Sequence, residues 1–176
     1  DLDMISLHGA WARERFVQRK YVGIGKNKVE SIRGETSHQD HPFIAVLDKN
    51  ATEDHGNVYG FNLVYSGNFM AQVEGCQYDT TRVVMGMSPE DFEWNLKQNE
   101  EFIAPEVVMV YSNEGLGKMT RTFHDLYRNN LIRGKYKDKK RPILINNWEA
   151  TYFDFDTDKL LDIAKEASKL GIEMLV

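Results

Sequence analysis

Trp148 has the most to offer a ligand, because of where it stands. It follows Asn146 and Asn147, directly after the apolar run Ile143–Leu144–Ile145 that Pro142 introduces. A tryptophan at the C-terminal end of a parallel strand lies on the rim where (β/α) folds place their sites. Indole offers a flat apolar face to the C–H face of a sugar ring, and sugar hydroxyls need neighbours such as the two asparagines. The same position equally suits a core residue closing the strand's mouth, and composition does not choose between the two.

Three carboxylates follow closely: Glu149, Asp154 and Asp156. Paired carboxylates carry glycoside hydrolysis. Asp156, however, is better explained as a helix cap. Glu149 and Asp154 would share one βα loop, whereas barrel sites draw catalytic groups from several strand ends. None of the three is assigned as nucleophile or proton donor.

The stretch RGETSHQDHPF brings together His38, Asp40 and His41, each able to hold a metal. Two histidines and one aspartate without a second cluster read instead as a polar loop before the strand Phe43–Leu47. His8, in LHGAWARER, has the same status. Trp11 in that stretch stands among Arg13, Glu14 and Arg15, as a core anchor or as an aromatic wall shown to another surface; residue type leans towards the core. Cys76 sits in VEGCQYD, a turn-like stretch after a strand, and reads as a passive thiol rather than a nucleophile. No glycine-rich phosphate loop, Ser–His–Asp order or cysteine–histidine cluster is present, so neither metal nor cofactor is expected.

The elements that must position these groups are of two kinds. Up to about residue 112 the chain reads as short extended segments rich in β-branched and aromatic residues: Arg15–Val22, Phe43–Leu47, Val58–Tyr65, Phe69–Glu74, Thr81–Met85 and Glu106–Tyr111. Asp48-Lys49-Asn50 and Ser66-Gly67-Asn68 supply turns. The second, inside VYGFNLVYSGNFMAQVE, predicts a β-hairpin. Regular strands and turns predict an antiparallel sandwich. SPEDFEW, with Ser88 before Pro89, predicts a brief helical turn.

From Gly115 the period changes. Leu116, Met119, Phe123, Leu126, Tyr127 and Leu131 share one helical face, and Gly134 is a stop. The connector YKDKKR, 136–141, reads as a solvated linker. Beyond it, Ile143–Ile145 suits a strand covered on both faces, followed by a helix capped by Asp156 or Thr157. Leu160, Leu161, Ile163, Ala164, Ala167 and Leu170 form that helix's apolar face, Gly171 ends it, and Ile172–Val176 begin a second strand. A right-handed crossover makes the two strands parallel. One such unit leaves sheet edges and an apolar face uncovered, so the chain is expected to be part of a longer polypeptide. The domains are placed at 1–140 and 141–176.

Lys and Arg total 22 against 27 Asp and Glu, a net charge of −5. That mild acidity gives no support to a nucleic-acid or membrane-surface partner. No apolar run approaches the ~20 residues of a membrane span. The single cysteine rules out an intrachain disulfide framework and fits a reducing compartment, so a cytoplasmic setting is expected.

Four stretches, HGAWARER, RGETSHQDHPF, VYGFNLVYSGNFMAQVE and RPILINNWEATYFDF, in this order resemble the bacterial α-galactosidases (melibiases) of glycoside hydrolase family 36. The resemblance runs through all 176 residues. It implies the later part of an N-terminal β-supersandwich, a linker helix around Leu116–Leu131, and the first β-α-β unit of a (β/α)₈ TIM barrel. It also implies retaining hydrolysis of terminal α-galactosyl residues from melibiose- and raffinose-type oligosaccharides. One aspartate would be the nucleophile and another the acid, both beyond Val176, so no catalytic residue is expected within the chain.

Two substrate-binding residues carry over: Trp148 in NNWEA and Trp11 in HGAWARER. In tetrameric family members a neighbouring subunit supplies the Trp11 wall, which implies a homo-oligomer. A non-catalytic carbohydrate-binding β-sandwich is the alternative, but it leaves the strand–helix–strand unit unexplained. A raffinose-type galactosyltransferase shares the retaining chemistry, and these residues do not separate the two.

Overall fold

A computed structural model describes residues 1–176 as two compact units, Asp1–Leu126 and Tyr127–Val176. The first unit holds eight strands: β1 (Leu2–Ala10), β2 (Arg13–Tyr21), β3 (Gly25–Ser31), β4 (Asp40–Asp48), β5 (Val58–Val64), β6 (Phe69–Gly75), β7 (Thr81–Met87) and β8 (Glu106–Ser112). Helix α1 (Gly115–Leu126) closes it. The strands form two antiparallel sheets, ordered β2-β1-β4-β5-β8 and β3-β6-β7.

The sheets face one another across an apolar core, as the alternation of each strand requires. Met4, Ile44 and Val46 from the larger sheet meet Ala71 and Val73 from the smaller, with Val29, Phe61, Val83 and Met85 packed around them. This is the expected antiparallel sandwich. The predicted hairpin is not formed, because β5 pairs with β4 and β8 while β6 pairs with β3 and β7. Ser66-Gly67-Asn68 therefore carries the chain from one sheet to the other. Phe69 is fully buried immediately after that crossing. The brief helix predicted in SPEDFEW is also absent. Ser88 Oγ accepts the Glu90 N–H at 3.2 Å, and the backbone turns at Glu90–Asp91, where Asp91 has φ 53°.

Helix α1 packs on the outer face of the larger sheet, over Gly60. A Cβ at Gly60 would sit 2.6 Å from both Met119 Sδ and Phe123 Cε2, so only glycine lets the helix approach. Phe43 meets Phe123 edge-on, 6.0 Å between centroids. The helix start is capped by backbone alone: the N–H groups of Gly115, Leu116 and Gly117 donate to the carbonyls of Gly56, Thr52 and Glu53 at 3.0, 2.9 and 2.9 Å. Three of the four N–H groups that a helix start normally leaves unpaired are thus satisfied.

The second unit holds a π-helical turn (Tyr127–Leu131), strand β9 (Leu144–Ile145), helix α2 (Trp148–Thr151), helix α3 (Thr157–Lys169) and strand β10 (Met174–Leu175). The helix predicted to run to Leu131 therefore changes to π-type after Leu126. Strands β9 and β10 are parallel, Leu144 facing Met174 and Ile145 facing Leu175. Asp156 Oδ1 caps α3 by accepting the Lys159 N–H at 2.9 Å. Gly171 ends it with φ 81°. The predicted cover on both faces of β9 is missing from this unit: Ile143, Leu144, Met174 and Val176 are exposed, and Ala167 alone of the apolar face of α3 is buried.

Candidate functional site

Strand register puts Trp148 at the mouth of β9. The Val176 N–H donates to Ile145 O, and the Asn147 N–H donates to Val176 O, each at 3.0 Å, so the parallel ladder runs one residue past β9. The chain then turns at once into α2. Asn146 Oδ1 accepts the Trp148 N–H at 2.7 Å, and Asn147 Nδ2 donates to Thr151 Oγ1 at 2.9 Å. The two asparagines, read as partners for hydroxyls, instead use these atoms to shape the turn beneath the indole.

Trp148 is not a core residue here. It is 39% exposed, and its ring packs edge-on against Tyr152 (5.4 Å, 78°) and Phe153 (4.8 Å, 87°). Tyr152 lies one helical turn on, its N–H donating to Trp148 O at 2.8 Å. Its φ of 49° and ψ of −121° are unusual for a non-glycine residue. Such a conformation costs on the order of 1–3 kcal/mol and persists only where its surroundings impose it. The result is an aromatic ledge at a strand end, with the Tyr152 and Phe153 rings standing nearly perpendicular to the indole. Two of the three carboxylates beside it are otherwise engaged, and Glu149 lies in the first turn of α2. Asp156 is the helix cap, and Asp154 pairs with Lys159 at 3.1 Å.

Trp11 stands at the other candidate position. Ala10 pairs with Arg13, leaving Trp11-Ala12 as the two-residue tip of the β1–β2 hairpin. At 81% exposed, Trp11 is no core anchor. Of the RGETSHQDHPF residues, Asp40 and His41 lie in β4 rather than in a loop. Asp40 Oδ1 contacts His8 Nδ1 at 2.9 Å. The His41 pKa is lowered by burial first and by the Arg15 charge second, against an opposite pull from Glu14. A cavity of about 800 Å³ opens beside the His8–Asp40 pair, between the β1–β2 face and β3, lined by both of these residues and by polar groups including Gln18, Lys20, Lys28 and Arg33. Lys28 there is paired with Glu30 at 2.7 Å.

Both tryptophan-bearing stretches fall within family matches that cover nearly the whole chain. The model described as the glycosyl hydrolase family 36 N-terminal domain matches residues 1–97. The model described as Melibiase matches residues 101–176. The chain belongs to glycoside hydrolase family 36. It is 56% identical over 176 residues to the α-galactosidase AgaA of Geobacillus stearothermophilus and 49% identical to the α-galactosidase Mel36A of Lactobacillus acidophilus. All of this chain is matched in both cases, against 24% of each relative. The crystal structure of AgaA superposes with a TM-score of 0.96 at 55% identity, covering 99% of this chain and 24% of that one. Variants of AgaA have been crystallised with raffinose and with stachyose.

For this family 36 chain, reading the sequence missed Tyr152 and Phe153 as companions of Trp148. The spacing contained the clue for Tyr152, since a residue four positions on shares a helix face. Phe153 follows a residue whose positive φ no residue type announced.

Proposed function

We propose that the full-length polypeptide containing these residues is an α-galactosidase. It removes terminal non-reducing α-D-galactosyl residues from melibiose- and raffinose-type oligosaccharides by retaining double displacement. A carboxylate attacks the anomeric carbon as a carboxylic acid protonates the departing oxygen; water, deprotonated by the same second residue, then releases galactose. Both acids come from outside these 176 residues. The present stretch contributes substrate-binding walls, Trp148 and Trp11, and contacts between subunits of a homo-oligomer, tetrameric by family resemblance.

The observation that carries this reading is the identity to α-galactosidases along the whole chain, 56% for AgaA. The partly exposed indole of Trp148 at the strand end gives that likeness a physical counterpart, a flat apolar ring of the kind that stacks on a pyranose. Residues 1–140 are assigned to the sandwich with its linker helix and 141–176 to the opening β-α-β unit of the barrel. The lone Cys76 suits a reducing, cytoplasmic setting.

The test is to assay the full-length protein on aryl α- and β-galactosides and to follow the anomer first released by NMR. The expected result is turnover of the α-substrate with release of α-galactose. Turnover confined to the β-substrate, or release of the β-anomer, would overturn the assignment. Incubation with raffinose alone would show galactose if the protein hydrolyses and longer oligosaccharides if it transfers.

A further inference from the structure

The hairpin tip that carries Trp11 is held more firmly than its exposure would require. Gly9, two residues before it, lies so close to the opposite strand that a Cβ there would fall 2.3 Å from Arg13 O and 2.8 Å from Glu14 Cα. Ala12, in the tip itself, and Arg15, just beyond it, both adopt positive φ, 61° and 62°. Such conformations are unfavourable for L-residues, by roughly 1–2 kcal/mol each. The strands at this point are twisted and bulged, with the β1–β2 register shifting between His8 and Ala10.

What holds this geometry is Gln39 and Asp40, at the entry to β4. The Gly9 N–H donates to Gln39 O at 2.9 Å, and the Gln39 side chain accepts from Arg33. His8 Nδ1 meets Asp40 Oδ1 at 2.9 Å, with the Asp40 side chain only 17% exposed. His8–Asp40 is also the last pairing of β1 with β4 before the tip. Beyond Gly9, residues 10–13 have no pairing with β4.

We propose that His8 and Asp40 form a positioning pair: their contact fixes the root of the β1–β2 hairpin and so sets the direction in which Trp11 presents its indole to the substrate. The proposal rests on the reading that Trp11 walls the sugar pocket. In this role His8 and Asp40 act without contacting the sugar themselves. Their effect passes entirely through Trp11, and that makes it separable from a general contribution to stability.

A double-mutant cycle on the full-length protein tests it, using Trp11→Ala, Asp40→Ala and the pair together, with KM and kcat measured on raffinose. Trp11→Ala is expected to raise KM about tenfold. Asp40→Ala should raise KM several-fold with kcat changed less than twofold, and should add nothing in the Trp11→Ala background, since coupled residues are non-additive. Asp40→Asn, which keeps an acceptor for the imidazole N–H, should restore most of the affinity.

If Asp40→Ala does not fold, His8→Ala breaks the same contact from its half-exposed side and carries the same expectation. A neutral Asp40→Ala and His8→Ala, or an equal factor with and without Trp11, would overturn the positioning role while leaving the Trp11 assignment intact. A neutral Trp11→Ala would sink both.

Discussion

The indole of Trp148 meets the ring of Phe153 edge-on, 4.8 Å between centroids and 87° between planes. Tyr152 approaches the same indole from the helical turn above, at 5.4 Å. An aromatic edge against an aromatic face is worth about 0.5–1.5 kcal/mol beyond simple area burial. These two contacts therefore hold the Trp148 ring in one orientation while leaving it partly open.

Loosening that ledge should weaken sugar binding without touching the chemistry. Phe153→Ala is expected to raise KM roughly 3- to 10-fold, the equivalent of the edge-to-face contact. Steady-state kinetics on an aryl α-galactoside of the full-length protein checks this. A fall in kcat with unchanged KM would show that the ring serves the reaction step instead.

Gly60 is the contact point between β5 and α1. Gly60→Val would force its branches into Met119 and Phe123, where the first added carbon already comes within 2.6 Å. Overpacking of this kind costs about 1–3 kcal/mol. Amide hydrogen exchange along α1 should quicken by roughly 5- to 150-fold if that cost falls on local opening. Unchanged exchange would mean that the helix shifts freely on the sheet.

Asp156 lies near the candidate site yet spends its carboxylate on the Lys159 N–H. Asp156→Ala should destabilise α3 by about 1 kcal/mol, the typical worth of an N-cap. Activity should stay within a few-fold of the parent. Loss of activity by several orders of magnitude would identify Asp156 as a reacting group.

His41 should make part of the structure acid-sensitive. Its pKa is lowered from 6.5 in the folded state by burial and by Arg15, so an unfolded chain binds the proton more readily. Stability from this source is complete above pH 6.5. It declines as pH falls towards the lowered folded value and stays flat below that. Unfolding of the parent and of His41→Gln across pH 5–8 measures it: the variant should lose less stability on acidification. Parallel curves would show that His41 titrates alike in both states.

Much of the fold was legible because its elements carry local signals. Met119 and Phe123 at helical spacing, Asp156 as a cap and Gly171 as a stop each act within a turn or two of the chain. β1 and β3 were missed for different reasons. β3, with Lys26, Lys28 and Glu30, is a polar edge strand with little alternation to detect. β1 departs from a regular strand in its second half, His8-Gly9-Ala10, where the register shifts.

The false hairpin has a deeper cause. Ser66-Gly67-Asn68 is genuine turn chemistry, but a turn does not say whether the next strand pairs alongside or crosses to face the last one. That choice is made by burial of Phe69, Ala71 and Val73 against the opposite sheet, which is non-local. At the candidate site, the place of Trp148 after a strand could be read from Pro142 and the apolar run. The exposure of Trp11 could not, because residue type leaned towards a buried anchor, whereas the hairpin tip presents the ring 81% exposed.

The central claim is that Trp148 forms part of a galactose-binding wall, and titration calorimetry of galactose into the full-length protein and its Trp148→Ala variant addresses it most directly. The account predicts saturable binding to the parent and affinity weakened about 10- to 100-fold in the variant, roughly 1.4–2.8 kcal/mol. Equal affinities in the two proteins would contradict it.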